Sequence, residues 1–401
     1  MVSYYFHTKM HTIFSQVRVI RFSHLLLLII CFSCSNSNTN TTELIDFVPV
    51  DSDIVVKISN LERFKNSLNN NDFSQELSKS KSFQALENKL NSLQHLKPKS
   101  NLLLCLNKDG NNSIEYAIIT KHDSTLFVTD SLPNYMEESL IYKNKTITKS
   151  TINDHVFYSA LIDSIFFASS SKTMVESAFN AKKEDSNFNK IYATVNDKKD
   201  ASILTKPNNS LFKPSIISDS IYNDTFIEYA AVDLDISQNA ILFNGITKAS
   251  DSSKSLIHIF KNIIPQEHLT QNITPSNSDG FLSFTFHNFE GFINNLNAFN
   301  KKDSITNTTT LFDNIYEVGV IYEGKNRAIV LNSLDITATK DALLGERNSI
   351  DTYRQVNIYS FSNPALFSKT FKPLVTFNKA KQYCILNNFF VFAENIETLQ
   401  N

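Results

Sequence analysis

Residues 58–69, ISNLERFKNSLN, recur later in the chain as residues 286–297, FHNFEGFINNLN. In each copy an apolar strand-like stretch ends at an asparagine, Asn60 or Asn288, of the kind that caps helices. Three apolar residues then share one helical face, namely Leu61, Phe64 and Leu68 in the first copy and Phe289, Phe292 and Leu296 in the second. The segment predicts a strand, a cap and a helix, and its recurrence predicts a repeated fold.

A second match has nearly the same spacing. Residues 158–173 resemble residues 383–398, with a tyrosine at the start of each segment. Tyr383 lies 225 residues after Tyr158, and Asn288 lies 228 residues after Asn60. Two matches with nearly one period predict an internal duplication with a period of about 225 residues.

The rest of the chain reads as short strands joined by short polar turns, with amphipathic helical patterns at residues 83–96 and 256–264. This pattern predicts an α+β fold of antiparallel sheets of short strands with helices on one face. We expect a first module over residues 43–245 and a second over residues 246–401. The last helix starts so near the end of the second module that we expect either a stub or a truncated form of a longer protein.

Composition excludes several classes of function. The chain has 401 residues, 42% of them hydrophobic, which is typical of a folded protein. The net charge is -2 and no basic run stands out, so nucleic acid is not an expected partner. Only 7 glycines are present. None has the spacing of a dinucleotide-binding loop, a Walker loop or a nucleophile elbow.

The N-terminus has the layout of a secretory signal peptide. Arg18 and Arg21 precede the apolar run 25–32, which is too short to span a membrane. We therefore predict a signal peptide over residues 1–33, with Met10 as an alternative start.

Ser33-Cys34 resembles the lipobox of bacterial lipoproteins, in which the cysteine is acylated. Cys31 departs from it by occupying the usual leucine position, so an ordinary cleaved signal peptide is the alternative. We predict lipid attachment at Cys34 and a flexible tether over residues 34–42. Ser35 follows the cysteine, which favours a bacterial outer-membrane location facing the periplasm.

Two cysteines remain beyond the anchor, Cys105 and Cys384, both in apolar stretches. An oxidising compartment permits a disulfide between them. Two separate buried thiols are the alternative, because unpaired cysteine is among the most buried residue types.

No local motif nominates a catalytic centre, and we predict neither a metal site nor a cofactor. The histidines are dispersed. Asp233 and Asp235 lie two apart on a predicted strand and share a face, which suits a hydrated metal, a general base or a solvated edge. The Phe-rich segment 281–292 suits an ordinary core or an apolar groove.

The anchor, the stretch FVPVDSDIVVKISNLERFKNSL (47–68) and the stretch FYSALIDSIFFASSSKTM (157–174) together resemble a family of exported bacterial lipoproteins with a domain of unknown function. Some chains of this kind carry a ribonuclease HII label, which no motif here supports. The resemblance implies a structural framework and no functional residue.

Three hypotheses for function follow. The first is a non-catalytic cell-envelope lipoprotein that acts as a scaffold or binding module for another envelope component. The second is a periplasmic carrier of a hydrophobic ligand, which requires a continuous Phe-lined cavity. The third is a hydrolase with a dispersed site, which requires a polar cleft with converging Asp, His or Ser side chains.

Replacing Cys34 with alanine tests the anchor. We expect the wild-type chain to gain the mass of a lipid and to sediment with membranes, and the Cys34→Ala chain to do neither, because the acylated side chain is absent. Intact mass and membrane fractionation measure both. A wild-type chain that is unmodified and stays in the supernatant would contradict lipidation.

Overall fold

The computed structural model describes residues 42–108, 113–129, 132, 134–180, 186–206, 228–250, 255–301 and 309–401. The predicted signal peptide, Cys34 and almost all of the tether lie outside the described residues. Residues Leu44–Asn401 form one unit that contains two antiparallel sheets. The α+β class predicted from the sequence is confirmed.

The first sheet has ten strands in the order β10-β9-β8-β1-β2-β3-β7-β6-β5-β4. Their bounds are β1 Ile54–Ile58, β2 Leu102–Lys108, β3 Ile114–Lys121, β4 Met136–Tyr142, β5 Lys145–Ile152, β6 His155–Ile162, β7 Ile165–Ser169, β8 Ala201–Thr205, β9 Tyr229–Ser237 and β10 Ala240–Lys248. The predicted module boundary at residues 245/246 falls inside β10. The change from one sheet to the other therefore lies after Lys248.

The second sheet has seven strands in the order β11-β12-β13-β17-β16-β15-β14. Their bounds are β11 Gly280–Thr285, β12 Ile315–Glu323, β13 Asn326–Ser333, β14 Ser349–Tyr353, β15 Val356–Ser360, β16 Gln382–Leu386 and β17 Phe389–Ala393. This order is the same as that of β1 to β7 in the first sheet. The first sheet differs by the three further strands β8, β9 and β10, which extend it beyond β1.

Nine α-helices connect or follow these strands in the described residues. They are α1 Leu61–Asn69, α2 Asp72–Ser78, α3 Lys81–Leu90, α4 Lys172–Ala178, α5 Ser186–Tyr192, α6 Phe289–Phe299, α7 Ile336–Ala342, α8 Leu366–Phe371 and α9 Ile396–Gln400. Short 3-10 helices lie at Leu44–Phe47, Asn91–His95, Leu256–Phe260, Thr270–Ile273 and Leu344–Glu346. No helix within the described ranges has the length and apolar character needed to cross a membrane.

Helices cover both faces of each sheet, where the sequence predicted one face. In the first sheet Val55 packs with Val175 of α4, whereas its neighbour Val56 packs with Phe64 of α1. Successive residues of a strand point to opposite faces, so these contacts lie on opposite sides. The physical reason is that the central strands are apolar on both sides and both sides require cover.

The two sheets share the local structure that follows their first strands. Asn60 caps α1 and Asn288 caps α6, with φ -149° and ψ 114° at both positions. The Asn60 side chain accepts a hydrogen bond from the Arg63 amide at 2.8 Å, and the Asn288 side chain accepts one from the Gly291 amide at 3.1 Å. Both predicted caps are confirmed.

A proline turn also recurs before each first strand. The Ser52 amide donates to the Pro49 carbonyl at 3.1 Å, and the Ser278 amide donates to the Pro275 carbonyl at 3.0 Å. Asp53 and Asp279 then begin pairing with the second strand of their sheets. The sequence motif is Pro-x-x-Ser-Asp in both places.

The second sequence match differs by one residue from the equivalence that the structure gives. Ser171 caps α4 and Asn395 caps α9. These caps lie 224 residues apart, whereas the match gave 225. Counted back from the caps, Phe167 corresponds to Val391 and not to Phe392. The shared strand order is an observation, and descent from a duplicated module stays a prediction.

Phenylalanine fills the core on one face of the second sheet. The ring of Phe292 stacks on Phe286 with the centroids 4.8 Å apart and on Phe284 at 5.5 Å. Phe371 of α8 joins the cluster, 5.8 Å from Phe284. The Phe-rich segment 281–292 therefore contributes mainly to a packed core, which was one of its two predicted roles.

We expect Phe292→Ala to lower the free energy of unfolding by about 3–5 kcal/mol, because it leaves a cavity in a packed aromatic cluster. Phe281 lies on the same sheet but is 40% exposed, which makes Phe281→Ala the matched control with an expected loss below about 1 kcal/mol. Urea denaturation followed by circular dichroism measures both. Equal losses for the two variants would contradict the assignment of the core.

Candidate functional site

The predicted aspartate pair holds a turn against the first sheet. The carboxylate of Asp233 accepts hydrogen bonds from the Ser202 hydroxyl at 2.6 Å and from the Asn196 amide at 3.2 Å. Asp235 forms an ion pair with Lys199 at 2.6 Å, which raises the pKa of that lysine. Both carboxylates are thus used to fix residues 196–202. Across the described ranges, no group of three or more His, Cys, Asp or Glu side chains is arranged to hold a metal ion.

Lys57 is a second charged residue with a structural role, and its burial was not predicted. It lies on β1 with its side chain almost fully buried. Its ammonium group forms an ion pair with Asp197 at 2.5 Å and lies 4.6 Å from the centre of the Tyr192 ring. These partners compensate the buried charge.

The most unusual polar group is Glu317, which is fully buried on β12. Its carboxylate accepts hydrogen bonds from the Leu269 amide at 3.0 Å, the Thr270 amide at 3.0 Å and the Thr270 hydroxyl at 2.8 Å. The Asn332 amide group on β13 donates a further bond at 3.0 Å. The carboxylate therefore joins the start of the 3-10 helix Thr270–Ile273 to the face of the sheet.

The backbone of Gly319 permits this close approach. A Cβ atom at this position would lie 2.7 Å from the hydroxyl oxygen of Thr270 and 2.8 Å from its methyl carbon, distances that real Cβ atoms do not tolerate. Gly319 lies two residues after Glu317 on the same face of β12. β12 thus offers Thr270 both a hydrogen-bond acceptor, the Glu317 carboxylate, and the space left by the absent side chain of Gly319.

His268, Ser283 and Glu317 have the residue types of a hydrolytic triad but not its geometry. The Nδ1 atom of His268 lies 2.8 Å from the Ser283 hydroxyl and 3.8 Å from the Glu317 carboxylate. In a triad the hydroxyl and the carboxylate contact different ring nitrogens, so that a proton can pass through the ring. Here both face one nitrogen. This arrangement does not support a relay.

Cys105 and Cys384 are both buried thiols, on β2 and β16 of different sheets. No bond joins them, so the disulfide considered from the sequence is not formed and the alternative of separate buried thiols describes the structure. Burial raises the pKa of the Cys384 thiol to about 11. A thiol of this kind is a poor nucleophile at neutral pH. Cys34 lies outside the described residues.

Two of the clefts in the described residues have similar surroundings. The first cleft, of about 490 Å³, lies in the first sheet's module and is lined by Phe47, Val48, Pro49, Val50, Asp51, Glu115, Phe167, Thr173, Met174, Ser177, Ala178 and Asn180. The second cleft, of about 250 Å³, lies in the second and is lined by Ile273, Pro275, Ile321, Glu323, Asn326, Arg327, Ala328, Tyr353, Arg354, Val356, Ile358, Cys384, Leu386, Val391, Thr398, Leu399, Gln400 and Asn401. Each is bounded by the proline turn and by the helix after the seventh strand.

The two clefts occupy equivalent places in the shared strand order. Phe167 and Val391, the third residues of β7 and β17, line them. Phe167 pairs with Ile119, and Val391 pairs with Val330. Glu115 and Asn326, each four residues earlier, are therefore also equivalent, and both line the clefts. The position is therefore the same, but the first cleft has a carboxylate where the second has an amide.

Arg327 and Arg354 are the two arginines among the residues that line the second cleft. The guanidinium of Arg327 lies 4.5 Å from the centre of the Tyr322 ring, and its Nη1 donates to the carbonyls of Gly324 and Asn326. Arg354, in the β14–β15 turn, lies 5.1 Å from the centre of the Tyr353 ring. Arg327 pairs with Tyr322, which packs against the Phe-rich core, so the Arg327 guanidinium lies on the face of the sheet away from the apolar floor.

The Phe-rich core and the clefts are separate features. The continuous Phe-lined cavity expected of a carrier is not found in the ranges described, because Phe284, Phe286, Phe289 and Phe292 pack on one another. Phenylalanine contributes Phe47 and Phe167 to the first cleft and nothing to the second. Neither cleft could be predicted from local pattern, because each brings together residues far apart in the chain.

Comparison with known proteins adds no relative. No protein-family model matches the chain, and neither a curated protein nor a solved structure matches it.

We expect Glu317→Gln to lower the free energy of unfolding by about 2 kcal/mol, because the amide cannot accept all the hydrogen bonds that the carboxylate accepts. Glu267→Gln is the matched control, since Glu267 is exposed and belongs to the same segment. The midpoints of urea unfolding measure the difference. An unchanged midpoint for Glu317→Gln would show that the carboxylate does not hold the segment.

Proposed function

We propose that this chain is a non-catalytic lipoprotein of the cell envelope, attached through Cys34 to the outer membrane and facing the periplasm. In this proposal it serves as a binding module for another envelope component. The observation that carries it is the presence of two clefts at equivalent places in two sheets of the same strand order. Concave, partly apolar sites on a rigid framework are where ligands and partners ordinarily bind.

The use of the buried and half-buried polar groups supports a binding role over a catalytic one. Glu317, Asp233 and Lys57 all have partners that fix segments of the backbone or compensate the charge. A general base or nucleophile instead needs an accessible position beside a reacting group. The hydrolase hypothesis therefore receives less support than the binding module.

The proposed tether limits where the partner can be. The eight residues 35–42 between Cys34 and the folded part span at most about 28 Å when fully extended. A body held this close to the lipid surface meets other components of the envelope. Membership of the lipoprotein family with a domain of unknown function stays a prediction from the sequence.

A photo-crosslinking amino acid placed at the clefts tests this proposal in the native bacterium. Val50 lines the first cleft and Leu386 the second, and both are accessible. We expect each position to give a discrete adduct, because a bound component lies within reach there. Leu334 is 74% exposed and lines neither cleft, so it is the matched control, expected to give none.

The same positions in the Cys34→Ala chain complete the test. We expect the adducts to disappear, because the chain then leaves the membrane surface. Adducts of the same mass from Leu334, or adducts that do not depend on Cys34, would contradict a specific envelope partner.

A further inference from the structure

We propose that β10 (Ala240–Lys248) pairs antiparallel with β10 of a second copy of this chain, so that two ten-stranded sheets join edge to edge. The inference goes beyond the proposed binding function and depends on neither cleft. It concerns the strand at one end of the first sheet, to which the roles described above assign nothing.

Apolar side chains of β10 face water on both sides of the strand. Among the described residues this strand pairs only with β9. Leu242 is 62% exposed and Phe243 is 65% exposed, and Ile246 is exposed as well. Successive residues point to opposite faces, so Leu242 and Ile246 lie on one face and Phe243 on the other. The edge therefore offers unpaired backbone groups together with apolar surface to a further strand.

Contacts at both ends hold β10 in its extended form. The Asn71 side chain donates hydrogen bonds to the carbonyls of Ser237 at 2.6 Å and Ala240 at 3.2 Å. At the other end, the Lys248 ammonium group donates to the Asn187 side chain at 2.7 Å. Because the strand is already ordered, pairing with a second strand costs little additional backbone entropy.

The three other edge strands have features that oppose pairing. β4 carries Glu137 and Glu138. β14 carries Asp351, where its register with β15 is irregular. The segment at Gln266 lies against β11, with its backbone amide bonded to the Thr285 hydroxyl. Charges, irregular pairing and covering segments are the usual means of blocking an edge, and the first eight residues of β10 are uncharged.

The sequence of β10 identifies a second copy as the partner, because the strand is complementary to itself in one register. With Asn244 on the two-fold axis, Leu242 of one copy faces Ile246 of the other on one face of the joined sheet. On the opposite face Phe243 covers Gly245, a pairing that shields the exposed glycine backbone. Moving the axis to Phe243 would instead place Leu242 against Asn244.

The size of this contact sets its strength. Two nine-residue strands that cover these apolar side chains bury on the order of 1,000 Å² in total, near the lower limit for a specific interface. We therefore expect a reversible dimer with a dissociation constant on the order of 10 μM. Because identical edges meet about a two-fold axis, the assembly closes at two copies.

Sedimentation velocity over a concentration series tests the dimer, with the full chain carrying Cys34→Ala so that no lipid is attached. We expect a monomer–dimer equilibrium. Asn244→Lys should weaken the dimer about five-fold or more, because it places two like charges directly opposite each other. Ile141→Lys is the matched control, since Ile141 is exposed on the edge strand β4, and it should leave the dissociation constant unchanged.

Cysteine variants of the same chain test the register. We expect Asn244→Cys to form a disulfide with its counterpart under mild oxidation, because opposite Cα atoms of antiparallel strands lie about 4.5–5.5 Å apart. Leu242→Cys should not link to itself, since its counterpart lies four positions away along the strand. Leu242→Cys and Ile246→Cys chains, mixed, should link to each other. Peptide mapping by mass spectrometry identifies each disulfide.

A chain that stays monomeric throughout the series would overturn the proposal. So would a dimer that Asn244→Lys does not weaken, or one that Ile141→Lys weakens equally. Linking of Leu242→Cys to itself in preference to Ile246→Cys would contradict the register. These outcomes are separate from those of the proposed function, because crosslinks from Val50 report on an envelope partner whether or not β10 pairs.

Discussion

The second cleft depends on one buried carboxylate. Glu317 accepts hydrogen bonds from the backbone and the hydroxyl of Thr270 and so holds a short surface segment against β12. That segment continues into Ile273 and Pro275, which form one wall of the cleft. A fully buried charge without such donors would be strongly unfavourable. The same bonds that compensate the burial of Glu317 therefore position the wall.

Because successive residues of a strand point to opposite faces, the second sheet has a packed core on one face and an accessible cleft on the other. All five residues of β17 are buried. Phe390 and Phe392 point into the aromatic core, whereas Val391 between them lies in the cluster that forms the floor of the cleft. One face is packed solid by phenylalanine and the other keeps an opening beside α9. A ligand at this opening need not disturb the core that holds the fold together.

Local pattern predicted local structure well. The predicted caps Asn60 and Asn288 both begin helices, because an asparagine side chain after an extended residue satisfies free amides of the first turn. The pattern at residues 256–264 was less informative, since the chain forms only the 3-10 helix Leu256–Phe260 there. Apolar periodicity over so short a stretch does not distinguish the two helix types.

The non-local features could not be predicted in this way. Nothing near Glu317 indicates that its partners come from residues 269 and 270, although a glutamate inside the apolar run of β12 was a signal of an unusual group. The repeated Pro-x-x-Ser-Asp motif was a second signal, and it marks a boundary of both clefts. Cover on both faces follows from sheet packing, which strand patterns alone do not reveal.

Amide hydrogen exchange at Leu269 and Thr270 tests the central claim most directly. If Glu317 holds this segment, both amides exchange about as slowly as those of β12 and β13, because they open only when the buried carboxylate loses its partners. If they exchange as fast as the amides of the exposed turn around Lys325, the segment opens on its own. The second cleft would then have no fixed wall, and the account of it as a preformed binding site would be contradicted.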